Sequence, residues 1–285
     1  MAPVRWKGEI IGVLATGSRE RANVAFAPSR LPLHDELGSF AGGLFGDQAE
    51  TAIVFDAARA SIRDVIDSQL FHLIFQPVVD LHSGATVGFE ALTRFDDGRS
   101  PDEHFALAAT VGLSSELEVA CASAAIAAAH SLPVRTWISL NFSPAVVLGD
   151  EWRQLVATTS REVAVEITEH ARIDDFDAVR RAVGSVERCR LFVDDAGAGY
   201  AGLHHILELH PDVIKLDISL VRDIDHDPAR QALVSGMRHF AGLTGTLLVG
   251  EGVETAAEAE TLRSLGVHYA QGYLFGRPAL AASFG

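Results

Sequence analysis

From Ala57 onward, short apolar runs alternate with longer stretches in which apolar positions recur every three or four residues. The first pattern is that of a buried strand and the second that of an amphipathic helix. Ile62, Val65, Ile66 and Leu70 mark a helix. Residues 73–81 (LIFQPVVDL) and 85–94 (ATVGFEALTR), joined across 82–84, then predict an antiparallel hairpin. The alanine-rich stretch 105–132 predicts two consecutive helices. Strands are expected at 136–141, 163–168, 191–194, 213–217, 247–250 and 269–271, separated by helices at 151–160, 175–187, 202–209, 228–244 and 256–265. Alternation of this kind implies a mainly parallel sheet, and eight strands imply an α/β barrel. Residues 1–56 differ: one strand at 9–15, a glycine-weakened helix at 34–48, and a polar loop with Pro28 and Pro32 between them.

The strand ends carry the chemistry. In chain order they present Gln76, Glu90, Asn141, Glu166, Asp194 with Asp195, Lys215 with Asp217, Glu251, and Gln271. A barrel of this kind assembles its active site from the C-terminal ends of several strands, so the series converges on one patch. Neighbouring strand residues point to opposite faces, so Asp194 and Asp195 can share a site only if the strand is ending and turning there. The following Gly197 and Gly199 permit such a turn. Oxygen ligands without a matching His or Cys cluster favour Mg²⁺ or Mn²⁺ over zinc or copper.

Composition narrows the partners. The 285 residues are 48% hydrophobic, ample for a full core, and the formal charge is −15 without any Lys/Arg-rich run, which argues against binding DNA or RNA polymers. A phosphate ligand would therefore need metal. No apolar stretch reaches membrane-span length and the N-terminus lacks a secretory pattern, so the expected location is the cytoplasm. Cys121 and Cys189 read as packing residues. His204 and His205 read as helix-start residues, and Asp96, Asp97, Asp102 and Glu103 as a solvated loop.

The ordered motifs resemble the EAL domain, the phosphodiesterase that opens cyclic di-GMP to linear pGpG. They are FQPVVDL at 75–81, GFEALTRF at 88–95 with Glu90, Ala91 and Leu92, ISLNFSP at 138–144, VEITEH at 165–170, VDDAGAGYAGL at 193–203, PDVIKLDISLV at 211–221, GEGVET at 250–255 and QGYLFGRP at 271–278. The resemblance covers about residues 57–278 and implies a modified TIM-type (β/α)₈ barrel with an antiparallel first strand. It divides the chain into an N-terminal extension, 1–56, and an EAL domain, 57–285. The extension resembles the tail of a GAF-type sensor domain, with an irregular extension as the other reading.

Residue by residue, the resemblance implies that Glu90, Asn141, Glu166 and Asp194 hold one ion, and that Asp194, Asp195 and Glu251 hold a second. Lys215 would orient the attacking water, Arg94 would grip a substrate phosphate, and Gln76 and Gln271 would line the substrate site. Glu169 would steady the loop after Asp195, and Glu254 matches the second carboxylate of the late motif. The implied function is two-metal in-line hydrolysis of cyclic di-GMP with Mg²⁺ or Mn²⁺, and a homodimer through the EAL domain. The rival reading is a non-catalytic cyclic-di-GMP receptor acting through a protein partner. Two features depart from the family pattern: the loop DDAGAGYAGL has Ala196 and Ala198 in place of Phe and Thr, and the segment between Leu92 and Asn141 is short.

Overall fold

A computed structural model describes residues 2–15, 31–168, 172–196 and 200–285. The chain divides into two units, 1–63 and 64–285.

In the first unit, strands β1 (Ala2–Trp6) and β2 (Glu9–Leu14) form an antiparallel hairpin around the Lys7-Gly8 turn, where both residues have positive φ. Helix α1 (Leu31–Asp67) starts in this unit and runs into the second. The sequence pattern missed β1, and it split α1 into two helices because Gly38, Gly42, Gly43 and Gly46 weaken helix propensity. Packing explains why the helix runs through them. A Cβ on Gly42 would lie 2.0 Å from the Arg5 carbonyl oxygen, and one on Gly46 would lie 2.2 Å from the Trp6 ring. The glycines thus let the hairpin backbone lie directly against the helix. Glu50 fixes the contact by accepting from Trp6 Nε1 at 3.3 Å and pairing with Lys7 Nζ at 2.8 Å.

The second unit is a closed eight-stranded barrel. Its strands are β3 (Phe71–Asp80), β4 (Thr86–Phe95), β5 (Trp137–Asn141), β6 (Val163–Thr168), β7 (Cys189–Ala196), β8 (Val213–Leu216), β9 (Leu247–Gly250) and β10 (Tyr269–Gln271). The order around the barrel is β10-β3-β4-β5-β6-β7-β8-β9. β3 is antiparallel to both neighbours and all other pairs are parallel. The predicted modified TIM-type α/β barrel with an antiparallel first strand is therefore the fold.

The helices between strands are α2 (Pro101–Thr110), α3 (Ser114–Ala128), α4 (Pro144–Leu148), α5 (Glu151–Val156), α6 (Phe176–Gly184), α7 (Tyr200–Leu209), α8 (Ile218–Val221), α9 (Pro228–Thr244) and α10 (Ala256–Ser264). The one-turn helices α4 and α8 were not expected, since four or five residues carry too little periodicity to register. The expected helix at 151–160 is cut to the six residues of α5. A 3₁₀ turn, Ala129–Ser131, closes α3.

Strand alternation builds the interior in layers. Val78, Trp137, Ala164, Phe192, Val213 and Val249 form a buried cluster low in the barrel, with the Trp137 and Phe192 rings edge to face at 5.2 Å. Gly88 makes room for this floor, since a Cβ there would meet the Trp137 ring at 2.1 Å. Two residues on from the floor stand Glu166, Asp194, Lys215 and Glu251, and two residues back along the antiparallel β3 stands Gln76, all on the same side of the floor.

The proposed boundary at 56/57 has a direct test. A chain beginning at Ala57 retains every barrel strand, so it should melt in a single cooperative transition followed by circular dichroism. Aggregation or loss of cooperativity would place the extension within the barrel's core.

Candidate metal centre and active site

Lys215 is 2% exposed and sits among four carboxylates. Its Nζ lies 2.8 Å from Glu251 Oε1, 3.0 Å from Glu166 Oε2, 3.1 Å from Asp194 Oδ1 and 3.7 Å from Glu90 Oε2. Each side chain is delivered by a different strand or its C-terminal end. Glu90 and Gln76 are direct partners in the β3–β4 ladder, and Asn141 is level with Glu166.

Asp194 and Asp195 reach the site together by a route the sequence did not show. β7 does not end at Asp194; it continues to Ala196 through a break in register against β8 between Val193 and Ala196. Asp195 there adopts a left-handed backbone, φ 57°, and its N–H donates to Asp194 Oδ1 at 2.9 Å. Such a bulge re-aims a side chain that strict alternation would send outward.

On the other side, Gln271 Nε2 donates to Gln76 Oε1 at 3.0 Å and to Glu90 Oε2 at 2.5 Å. Asn141 Nδ2 lies 3.5 Å from Glu90 Oε1. Gln76 and Gln271 line a cavity of about 290 Å³ together with Glu90, Glu251, Glu254 and Tyr273. Arg94 and Asn141 line a neighbouring cavity of about 400 Å³, and Leu92 borders both. Arg94 Nη1 donates to the Thr93 carbonyl at 2.7 Å.

The electrostatics of the cluster follow from four carboxylates crowded around one ammonium. Burial pushes the Glu166 carboxyl up to about 8, with Lys215 opposing and Glu90 and Asp194 adding to the rise. Burial likewise raises Glu251 well above the usual carboxylate range. For Lys215, burial alone would lower the pKa, but Asp194, Glu166, Glu251 and Glu90 outweigh it and hold the ammonium well above the ordinary lysine value.

The donor set fits divalent cations. Glu90, Glu166 and Asp194 each offer an oxygen within 4.8 Å of the others, and so do Asp194, Asp195 and Glu251. Glu166 Oε1 is buried without a hydrogen-bond partner, an unsatisfied acceptor that an ion would satisfy. All these donors are hard oxygens. Among the described residues neither group contains a histidine. His204 and His205 instead lie on α7, with ring centroids 5.2 and 5.4 Å from Phe176. Of the acidic run after β4, Asp96 and Asp97 are local loop partners, whereas Asp102 and Glu103 stand in the first turn of α2, where acids favour a helix N-terminus, and not in the expected solvated loop. Asp96 meets His72 at 3.1 Å, Asp97 holds Arg99 and the buried His104, and Glu103 closes a capping box on Ser100. Cys121 and Cys189 are free thiols.

Glu169 lies outside the described residues, as do residues 197–199 of the altered loop. Glu254 stands apart from both metal-competent groups and forms a bidentate pair with Arg222 at 2.6 and 2.8 Å. The residue that sequence reasoning missed is Glu258. It is 2% exposed, and its carboxylate accepts the backbone N–H groups of Asp223, Glu254 and Thr255 at 2.9 to 3.1 Å. It thereby pins the loop that follows Glu251. The signal was present as the capping box Thr255-x-x-Glu258.

The family profile described as EAL domain matches residues 59–278. The chain belongs to the EAL domain family. It is 33% identical over 230 residues to the cyclic di-GMP phosphodiesterase PA2567 of Pseudomonas aeruginosa, covering 74% of this chain and 38% of that one. To the probable cyclic di-GMP phosphodiesterase PdeB of Escherichia coli it is 28% identical over 240 residues, covering 76% and 44%. The EAL chain thus spans less than half the length of these curated relatives. Among solved structures, BlrP1 of Klebsiella pneumoniae, in complex with calcium and cyclic di-GMP, superposes with a TM-score of 0.66 at 33% identity, covering 75% of this chain and 57% of that one. An EAL domain protein of Listeria monocytogenes shares the fold, with a TM-score of 0.68 at 24% identity, covering 77% and 93%.

The raised carboxyls imply a pH dependence opposite to that of a salt-bridged acid. Glu166 and Glu251 bind protons more tightly folded than unfolded, so their contribution is full below about pH 4.5; that of Glu166 is lost as pH rises through about 8, and that of Glu251 as pH rises above the usual carboxylate range. The metal-free EAL chain should therefore melt at falling temperature between pH 5 and 8 as the cluster ionises. Saturating Mn²⁺ should flatten that slope, and scanning calorimetry with and without the ion checks it. An equal slope in both would mean that the cluster does not take the cation.

Proposed function

We propose that this EAL domain hydrolyses cyclic di-GMP to linear pGpG in a Mg²⁺- or Mn²⁺-dependent reaction. The observation that carries the reading is the buried carboxylate cluster around Lys215 at the mouth of an EAL-family barrel. In this reading Glu90, Asn141, Glu166 and Asp194 hold one ion, and Asp194, Asp195 and Glu251 hold a second. Two such ions supply Lewis-acid stabilisation of the attacking and leaving oxygens of an in-line displacement at phosphorus.

The chain's own groups do the rest. Lys215, held protonated by its carboxylate neighbours, cannot serve as a general base; it orients the attacking water through its N–H donors. Gln76 and Gln271 bind and orient the ligand in one cavity, and Arg94 grips a phosphate from the other. Because Leu92 borders both cavities, a dinucleotide lying across it reaches both sets of groups. Glu169 steadies the loop after Asp195. The proposed setting is cytoplasmic, and among the described residues no helix is long and apolar enough to cross a membrane.

Incubating the protein with cyclic di-GMP and Mg²⁺, then separating products, should yield pGpG. Binding without turnover in either Mg²⁺ or Mn²⁺ would instead establish a receptor. Asp195→Asn should lower kcat on the order of 10²- to 10³-fold while leaving affinity, measured by calorimetry in Ca²⁺, near wild type. Arg94→Ala should differ in kind, raising KM because a guanidinium on a non-reacting phosphate contributes to ground-state binding.

Ca²⁺ alone should inhibit. It favours about six to eight ligands at roughly 2.3–2.6 Å, whereas Mg²⁺ needs near-octahedral geometry at about 2.0–2.1 Å. Equal turnover with Ca²⁺ would contradict the metal assignment.

A further inference from the structure

Of the four carboxylates around Lys215, Glu90 is the one the lysine does not hold. Lys215 Nζ reaches Glu251, Glu166 and Asp194 at 2.8 to 3.1 Å but lies 3.7 Å from Glu90 Oε2, beyond hydrogen-bond range. Asn141 Nδ2, at 3.5 Å from Glu90 Oε1, stands at the outer limit. The short contact is Gln271 Nε2, 2.5 Å from Glu90 Oε2. A carboxylate that is to take a cation works best with its rotamer fixed before the ion arrives, and Gln271 is the group placed to fix it.

The orientation of the Gln271 amide is set from outside the cluster. Its Nε2 also donates to Gln76 Oε1 at 3.0 Å, and Gln76 Nε2 donates in turn to the Gly276 carbonyl at 3.3 Å. A backbone carbonyl only accepts, so it decides which end of the Gln76 amide faces it, and Gln76 is left with an oxygen to offer Gln271. The polarity therefore runs one way, from Gly276 through both amides to Glu90. Gln271 is 4% exposed and its Oε1 is buried without a partner, so the amide leaves an acceptor unsatisfied while its nitrogen stays engaged. The carbonyl at the origin is fixed as well. The Phe275 and Gly276 N–H groups both donate to Gly272 O, and a Cβ on Gly276 would meet Pro77 Cγ at 2.7 Å, so this turn is pressed against β3. Antiparallel β3 makes the route possible, because it stands between β10 and β4 and sets Gln76 opposite Glu90 in one ladder while Gln271 pairs with Val78 in the other.

We propose that Gln271, oriented by Gln76 and the Gly276 carbonyl, is a positioning residue that sets Glu90 for its ion. The assignment rests on the metal reading above and gives the two amides a task beyond lining the ligand cavity. Calorimetric titration of the metal-free full chain with Mn²⁺, without nucleotide, tests it. Gln271→Leu should lower the affinity for one ion about 10- to 100-fold, the usual scale for losing an outer contact to a metal ligand. Gln76→Leu should lower it less, because Gln271 keeps its contact with Glu90 and loses only the partner that orients it. Since Gln76 acts through Gln271, the double variant should bind no more weakly than Gln271→Leu alone. Circular dichroism melts of the metal-free variants show that the affinities are read on folded chains. If Gln271→Leu does not fold, Gln76→Leu decides alone: reduced affinity supports the relay and wild-type affinity overturns it. Wild-type affinity in Gln271→Leu, losses that multiply in the double variant, or a wild type that takes up no Mn²⁺ would each overturn the assignment. Turnover does not enter the measurement, so a wild type that binds Mn²⁺ without hydrolysing cyclic di-GMP defeats the proposed activity, while weakened ion binding in Gln271→Leu still supports the relay.

Discussion

Everything in the barrel answers to one buried cation. Lys215 brings a single positive charge to Glu90, Glu166, Asp194 and Glu251, with Asp195 adjoining, so negative charge exceeds positive in a water-poor interior. Charges at such distances interact strongly where the dielectric is low, and the arrangement holds only if the scaffold prevents the carboxylates from swinging apart. The scaffold does so by origin. Glu90, Glu166, Asp194 and Glu251 start from four separate barrel strands or their ends, with Asp195 sharing β7 with Asp194, anchored below by Trp137, Phe192 and the aliphatic residues of the floor. The resting cluster is thus preorganised but under-neutralised, the condition in which hard cations bind well.

The loops above the cluster are set by polar contacts where packing is thin. Glu258 gathers three backbone N–H groups from two segments, and the Arg222–Glu254 pair joins the same two segments on the outside. Asp223, one of the gathered residues, has a positive φ of 57°, a conformation that needs such support. The position of Glu251 therefore depends on residues that touch neither metal donor group. Precise placement of these carboxylates is a property of the surrounding ring of contacts as much as of their own.

Much of this was legible in the chain. Strands β6, β9 and β10 match their predicted bounds as short runs between clear stops, and helix α9 matches because Asp227-Pro228 starts it and Gly245 ends it. The convergence of Gln76, Glu90, Asn141, Glu166, Asp194, Lys215, Glu251 and Gln271 could be read because barrel topology turns position along a strand into position in space. What escaped was local geometry. The bulge that brings Asp195 round depends on how β7 pairs with β8, a relation between distant segments. Helix α1 runs through its glycines because a hairpin presses on them, and β1 (APVRW) is broken by Pro3 and Arg5 and so offers no continuous apolar run. Short helices α4 and α8 are consequences of loop closure.

The floor made by Trp137, Phe192 and Gly88 also turns the barrel into a cup. Among the described residues, the two cavities lined by the candidate site residues share Leu92, and the floor fills the barrel beneath Glu166 and Lys215. Whatever reaches those two side chains therefore approaches from the side of the strands' C-terminal ends.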